Sequence, residues 1–319
     1  MVANINTCLR QYFITVEGDL GDFLGVQIER SKDGKFILSQ PQLIDSILND
    51  LRLNDSNVTV KDVPASSSVL LSRHLSSDPF DDHFKYSSVV GKLNYLEQCT
   101  RMDISFAVHQ LARFSANPRV PHGHAMKWLG RYLVATRDKG IIYDPKEQSF
   151  EVYCDADFAG NWDKEIAHWD VDTARSRSGY IIKYANCPII WGSKLQSEIA
   201  LSSCESEFIC LSETVRQVIP LINLVKEIKS RGGPLSVTIP TVHCRVFEDN
   251  SGAIQIATVP KMRPRTKHIN VKFHFFKSFV ERGLLSVHKI HTSLQQADVM
   301  TKPLNAMTLK RLRKQIMGW

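Results

Sequence analysis

Asp155, Glu207, Asp249 and Asp298 stand at spacings too long for a local motif, each at the edge of a predictable strand or helix in the second half of a 319-residue chain. Two divalent ions held about 3.5–4 Å apart stabilise both the attacking and the leaving oxygen of a phosphodiester, and they need carboxylates gathered from separate elements. The four acids have the types and the dispersal for that chemistry. Each alone is a common turn residue or helix cap; as a set they point to a metal site. Hard divalent cations that take oxygen ligands, above all Mg2+, suit it.

The elements that must gather these acids are legible from hydrophobic period. FEVYCDAD, SGYIIKYA and PIIWGSK read as three strands, the last two joined by a turn at Asn186-Cys187-Pro188. A long helix is expected over residues 203–229. After it come a strand in HCRVFED, a short helix in SGAIQIA, a longer one in INVKFHFFKSFVER, a strand in LLSVHKIHT and a closing helix in LQQADVMTKPL. This order predicts an α/β fold in which a three-stranded antiparallel meander is extended by two parallel strands, with helices on its faces. The first and fourth strands can lie side by side in parallel. Asp155 and Asp249 are then neighbours at the strands' C-terminal ends, where ligands of open α/β sheets bind. Acids that close repel each other unless a cation neutralises them.

Geometry leaves two choices open. Glu205 and Glu207 flank the apolar stripe Leu201, Cys204, Phe208, Leu211 and Val215 on opposite sides, and Asp157 shares a strand face with Asp155. His291 is a candidate for product release or proton transfer, set against the commoner structural role of a lone histidine.

Upstream, residues 22–37 carry two alternating runs around Asp33-Gly34, a hairpin signal, and residues 41–51 have helical spacing. Residues 54–85 are polar and Ser-rich and read as a loop or linker. Three helical patterns fill residues 87–136, a small module. Its Asn94, Arg101, Arg113, Lys127 and Arg131 are candidate phosphate contacts, although scattered basic residues on helix faces are more often simply solvated.

With 43% hydrophobic and 23% charged residues, disordered and collagen-like classes are excluded. No apolar run in the sequence approaches the ~18–20 residues of a membrane span, so no membrane partner and an intracellular location are expected. Seven cysteines, odd in number and without a C-x-x-C pair, argue against a disulfide framework or zinc ribbon and read as reduced thiols. No Gly-rich phosphate loop follows a strand, so no small-molecule cofactor is expected. The net charge of +7 permits a polyanion partner, and its distribution says more. Lys261, Arg263, Arg265, Lys267, His268 and Lys272 crowd one stretch, a pattern that neutralises phosphates as readily as it makes a solvated face.

Six blocks in order, YCDADFAG, SRSGYIIKY, WGSKLQSEIALSSCESEF, VFEDNSGAI, RPRTKHINVKFHF and QQADVMTKPL, resemble the RNase H domain at the end of the Pol polyprotein of copia-type LTR retrotransposons. DFLGVQIE with FILSQPQLIDSIL is similar to the end of that family's reverse transcriptase palm. YSSVVGKLNYLEQCTRMDISFAVHQLARFSANP and HAMKWLGRYLVAT are similar to its thumb and connection region. The resemblance covers nearly the whole chain and implies an RNase H-like mixed five-stranded sheet at 146–319. It also implies a palm remnant at 1–60 and a linker with a helical thumb or connection module at 61–145. In the family pattern the metal site falls on Asp155, Glu207, Asp249 and Asp298, holding two Mg2+ ions with Mn2+ as substitute. Three departures stand out: Cys204 in place of a hydroxyl residue, Glu248 where a Cys is common, and a longer stretch over residues 162–177.

What the resemblance implies is a two-metal endonuclease acting on the RNA strand of an RNA–DNA hybrid, with Lys261 to Lys272 positioning the backbone. Other Pol or reverse transcriptase subunits are candidate partners, in a cytoplasmic particle or the nucleus. The palm's Asp-Asp pair is not found upstream of the FLGV hairpin, and Asp81-Asp82 lies in the polar loop. Polymerisation by this chain alone is therefore not expected, and a fragment that only binds nucleic acid is the alternative.

Overall fold

The computed structural model describes residues 21–55, 57–68, 71–73, 76–81, 83–231, 243–258 and 275–319. A short strand β1 (Asp22–Phe23) precedes the hairpin β2 (Val26–Arg30) and β3 (Phe36–Ser39), whose register pairs Ile28 with Leu38 and Arg30 with Phe36 around the expected turn. Gly34 takes a φ of +86°, which the tight reversal requires and a side chain resists. Helix α1 (Pro41–Asp50) begins with proline at its first position and buries Ile44, Ile47 and Leu48. Helices α2 (Tyr86–Cys99), α3 (Ser105–Ala112) and α4 (Val120–Ala135) form the module read from the sequence. Strand β4 (Ile141–Tyr143), which the periodicity did not reveal, pairs with β3 and makes a four-stranded antiparallel sheet.

The second sheet holds β5 (Phe150–Asp157), β6 (Arg177–Tyr184), β7 (Cys187–Leu195), β8 (Cys244–Glu248) and β9 (Leu285–Lys289) in the order β7-β6-β5-β8-β9. β5, β6 and β7 are antiparallel neighbours, and β8 and β9 run parallel to β5. That is the meander with two parallel additions expected from the sequence. The β6–β7 turn sits at Ala185 and Asn186, both with positive φ, one residue earlier than expected, so Cys187 and Pro188 already belong to β7.

Helix α5 (Ser203–Ser230) lies on one face of this sheet, burying Phe208, Leu211, Val215, Val218 and Ile222 against Val152, Cys154, Ile182 and Val246. At 28 residues and a mean hydropathy of 1.4 over its most apolar stretch, α5 is long and apolar enough to cross a membrane by composition, but half of that stretch is buried here. Leu201, assigned to the buried stripe by spacing, precedes the helix and is exposed. Helices α6 (Ser251–Thr258) and α7 (Lys277–Glu281) follow β8; of the longer helix expected before β9, residues 269–274 lie outside the described residues and residues 275–276 form a turn.

Of the closing helix expected over LQQADVMTKPL only four residues are α-helical, and a further helix that the sequence reading did not include follows it. α8 (Asp298–Thr301) stops before Pro303, and α9 (Ala306–Met317) restarts with Asn305 as its cap, the Asn305 side chain accepting from the Thr308 N–H at 2.9 Å. Both pack into the core of α1–α4. Val299, Met300, Leu309, Leu312 and Ile316 join Leu93, Met102, Val108 and Leu133 in one cluster, which meets the second sheet through Ile181. The sheet is thus covered by α5 on one face and by α8, α9 and the helical module on the other. Arg101, a candidate phosphate contact by sequence, is fully buried here. It donates twice to Asp103 at 2.9 Å and once to the Thr136 carbonyl at 3.0 Å, a structural role.

Candidate active site

Parallel pairing of β5 with β8 sets Tyr153 opposite Phe247, and the same register two residues on brings Asp155 beside Asp249. Glu207 reaches the same point from α5. Oxygens of Asp155, Glu207 and Asp249 lie within 4.8 Å of one another. The start of α5 decides between the two glutamates. The Ser202 hydroxyl accepts from the Glu205 N–H at 3.2 Å, and the Glu205 carboxylate accepts from the Leu201 N–H at 2.8 Å, a cap that turns Glu205 back along the chain. Glu207 turns inward and is 6% exposed, its carboxylate held by the Ala156 N–H at 2.7 Å.

The backbone under Asp155 is clamped from both faces. The Cys210 thiol donates to the Asp155 carbonyl at 3.1 Å, and the Gln295 amide donates to the Cys154 carbonyl at 2.8 Å. These buried thiols are reduced and, pushed well above their usual range by burial, work as weak donors.

Asp298 opens α8 and is not part of the three-carboxylate cluster; it sits across from Asp155 with a lysine between them. Lys302 Nζ lies 2.8 Å from Asp298 and 3.7 Å from Asp155. The Thr301 hydroxyl also donates to Asp155. Gly179 on β6 makes this approach possible, since a Cβ there would meet Met300 and Thr301 of α8 at 2.6 Å. Asp157, the rival on the same strand, lies outside the cluster and packs against Gly160, where an added Cβ would meet its carboxylate at 1.6 Å. His291 is exposed and caps a short turn, accepting from the Ser293 N–H at 3.2 Å.

Burial dominates the electrostatics. Asp155 is raised by burial, with Lys302 and Thr301 opposing. Glu207 is raised far above the carboxylate range by burial, then by Glu248 and Asp155. Asp298 is pushed up to about 7 by burial and Asp155, against the pull of Lys302. Glu248, not a site residue in the sequence reading, is fully buried and pushed up to about 8 by burial, although it accepts from the Asn250 N–H at 3.0 Å. Its only sequence signal was its departure from the family pattern. Negative charge this buried needs a cation, and an all-oxygen donor set fits Mg2+ or Mn2+ rather than a softer metal. Lys261, Arg263, Arg265, Lys267, His268 and Lys272 lie outside the described residues.

No protein-family model matches the chain. Among curated proteins, it is 33% identical over 293 residues to the retrovirus-related Pol polyprotein from transposon TNT 1-94 of Nicotiana tabacum, covering 89% of this chain and 21% of that one. It is 31% identical over 308 residues to the Pol polyprotein from transposon RE2 of Arabidopsis thaliana, covering 96% and 20%. The chain belongs to the retrovirus-related Pol polyproteins of transposons. This Pol chain spans about a fifth of the length of those relatives. Among solved structures, the N-terminal RNase H domain of a Mycobacterium tuberculosis protein, fused to maltose-binding protein, aligns over 53% of this chain and 98% of that one. The alignment has 8% identity and a TM-score of 0.32, too loose a likeness to carry an argument.

Proposed function

We propose that this Pol chain carries a metal-dependent nuclease of the RNase H type, hydrolysing the RNA strand of an RNA–DNA hybrid. The observation that carries this reading is the convergence of Asp155, Glu207 and Asp249, from three separate elements, at the carboxyl end of a mixed five-stranded sheet. Kinship with transposon Pol polyproteins supports it.

Asp155, Glu207 and Asp249 would hold one divalent ion, and Asp155 with Asp298 a second once Lys302 withdraws. When bound, such ions supply an attacking water of lowered pKa and stabilise the leaving 3′ oxygen. The chain's own residues supply position. The Ala156 N–H orients Glu207, and the Thr301 hydroxyl orients Asp155. Choice of hybrid over either duplex would come from groove shape and 2′-hydroxyl contacts, with the basic stretch from Lys261 to Lys272 gripping backbone phosphates. In this reading residues 1–60 and 61–145 correspond to the palm remnant and the thumb or connection module, and residues 146–319 to the nuclease. Further Pol subunits are its partners, in a cytoplasmic particle or the nucleus.

The test is cleavage of an end-labelled RNA–DNA hybrid by the purified chain with Mg2+, beside Asp249→Asn and an EDTA control. Loss of cleavage in both controls is expected. A folded chain that binds the hybrid and leaves it whole would reduce the function to binding.

A further inference from the structure

On the helical-module side of the sheet, a cleft of about 530 Å³ runs between α3 and the edge strand β7. Its guanidinium groups come from both halves of the chain: Arg113 follows α3 and Arg177 opens β6, while Lys194 on β7, paired with Ser178, projects from the other face of the sheet. Arg177 is only 2% exposed. One of its terminal nitrogens donates to the Ser193 hydroxyl at 3.0 Å, while Nε and the other terminal nitrogen meet no acceptor among the described residues. Arg113 donates to the Gln110 amide oxygen at 2.9 Å and also keeps an unmet Nε. Burial lowers the pKa of both guanidinium groups, and Arg113 lowers Arg177 further, to about 9.

Two neighbouring guanidinium groups with unmet donors need an anion of several oxygens, because buried donors without acceptors cost more than they return. Asp157 beside Arg177, and Asp170 and Asp172 beside Arg113, favour the charged guanidinium groups without meeting these donors, and the wall's Glu97 does not meet them either. Glu97 accepts from the Ser105 hydroxyl with one oxygen, and its other oxygen faces His109 at 3.7 Å. Location narrows the class of anion. Arg177 pairs across the sheet with Asp157, and Asp155 pairs with Gly179, so the cleft opens on the same sheet face as the metal-site acids, two residues along. The planar fork of an arginine matches phosphate oxygens in pairs, which a lysine cannot do.

We propose that this cleft is a second binding site, in which Arg113 and Arg177 hold a backbone phosphate of the nucleic acid being cut. The assignment rests on the nuclease reading above. It gives the helical module a direct part in holding substrate, because Arg113 belongs to that module and Arg177 to the sheet.

The test measures hybrid binding by fluorescence anisotropy over a range of salt concentrations, in the Asp249→Asn background so that the RNA stays intact. Arg113→Gln is expected to weaken binding severalfold and to lower the slope of log K against log salt by about 1. Arg177→Lys, which keeps the charge and loses the fork, is expected to weaken binding as well. Circular dichroism checks folding, and if Arg177→Lys does not fold, the more exposed Arg113 decides. Unchanged affinity and slope in folded Arg113→Gln would overturn the phosphate site and leave the nuclease standing. Failure of the parent chain to bind hybrid would overturn both. Weakened binding in a chain without RNase activity would keep the site and remove the nuclease.

Discussion

Lys302 occupies the place between Asp155 and Asp298 where a second cation would have most to gain. Its ammonium offsets two buried carboxylates, so it both stabilises the metal-free site and competes with an ion for it. A unit charge about 4 Å away is worth about 4 kcal/mol at an effective dielectric of 20. Lys302→Met should therefore raise Mn2+ affinity by at least about tenfold and lower the metal-free melting temperature, read by titration calorimetry and thermal unfolding. Equal Mn2+ affinity in the two proteins would remove Lys302 from the site's electrostatics. The carboxyls give a second prediction. Asp298 and Glu248 titrate higher folded than unfolded, so the folded chain holds extra protons and its metal-free stability is full below the ordinary carboxylate range. That stability falls as pH rises through about 7 and 8. Thermal midpoints in EDTA should decline across this interval, and Mg2+ should flatten the decline because its ligands bind it deprotonated. A metal-free midpoint that climbs with pH there would contradict the burial argument. Asp155 and Asp249 were legible as neighbours in the sequence because strand order sets their register. Glu248 was not, because nothing in an alternating CRVFED strand distinguishes a buried acid from an exposed one until the covering helix is placed.

Helix α5 shows what elements add to residues. Periodicity located the helix and its buried face but could not choose between Glu205 and Glu207; the choice belongs to the cap, in which the Ser202 hydroxyl accepts from the Glu205 N–H and the Glu205 carboxylate from the Leu201 N–H. Glu205→Ala should cost about 1 kcal/mol of stability, the usual value of a lost cap, and leave cleavage intact. Glu207→Gln should abolish cleavage while raising metal-free stability at neutral pH, since the buried Glu207 must take up a proton on folding and an amide need not. Denaturant unfolding and the hybrid assay, run on both variants, check the pair; loss of cleavage in Glu205→Ala with α5 intact would reverse the two roles. The strands of the second sheet were legible because their alternation is long. Strand β4, three residues after a glycine, was too short to show a period, and it exists because β3 offers it an edge. The pattern over LQQADVMTKPL yields a helix only at Asp298–Thr301, because Pro303 cannot carry the hydrogen-bond ladder, and α9, capped by Asn305, lies beyond that pattern altogether.

At the scale of the molecule, the C-terminal segment ties its two halves together. α9 places Leu309, Leu312 and Ile316 in the core of α1–α4, and Arg313 donates to the Tyr132 hydroxyl at 2.8 Å while stacking on Trp319 at 3.8 Å. Trp319 in turn donates to the Gly140 carbonyl at 2.6 Å. Boundaries drawn from sequence blocks place this segment wholly with the nuclease, because the blocks follow chain order and not packing. Its removal should therefore damage the helical module first. Three large aliphatic side chains lost from a core are worth of order 5 kcal/mol or more by burial alone, comparable with the whole stability of a small module. Deleting residues 305–319 should collapse hydrogen-exchange protection in α2 and α4 while β5, β6 and α5, whose core contains none of the deleted side chains, keep theirs. Protection lost evenly across both halves would mean that the two cores unfold as one unit. Protection unchanged in α2 and α4 would mean that the module's own helices suffice and that α9 only covers them. The first outcome, unequal loss, would also explain why Asp298 can sit on so short a helix: α8 is held in place by α9 and the module behind it, so the helical half helps to position the fourth acid of the site.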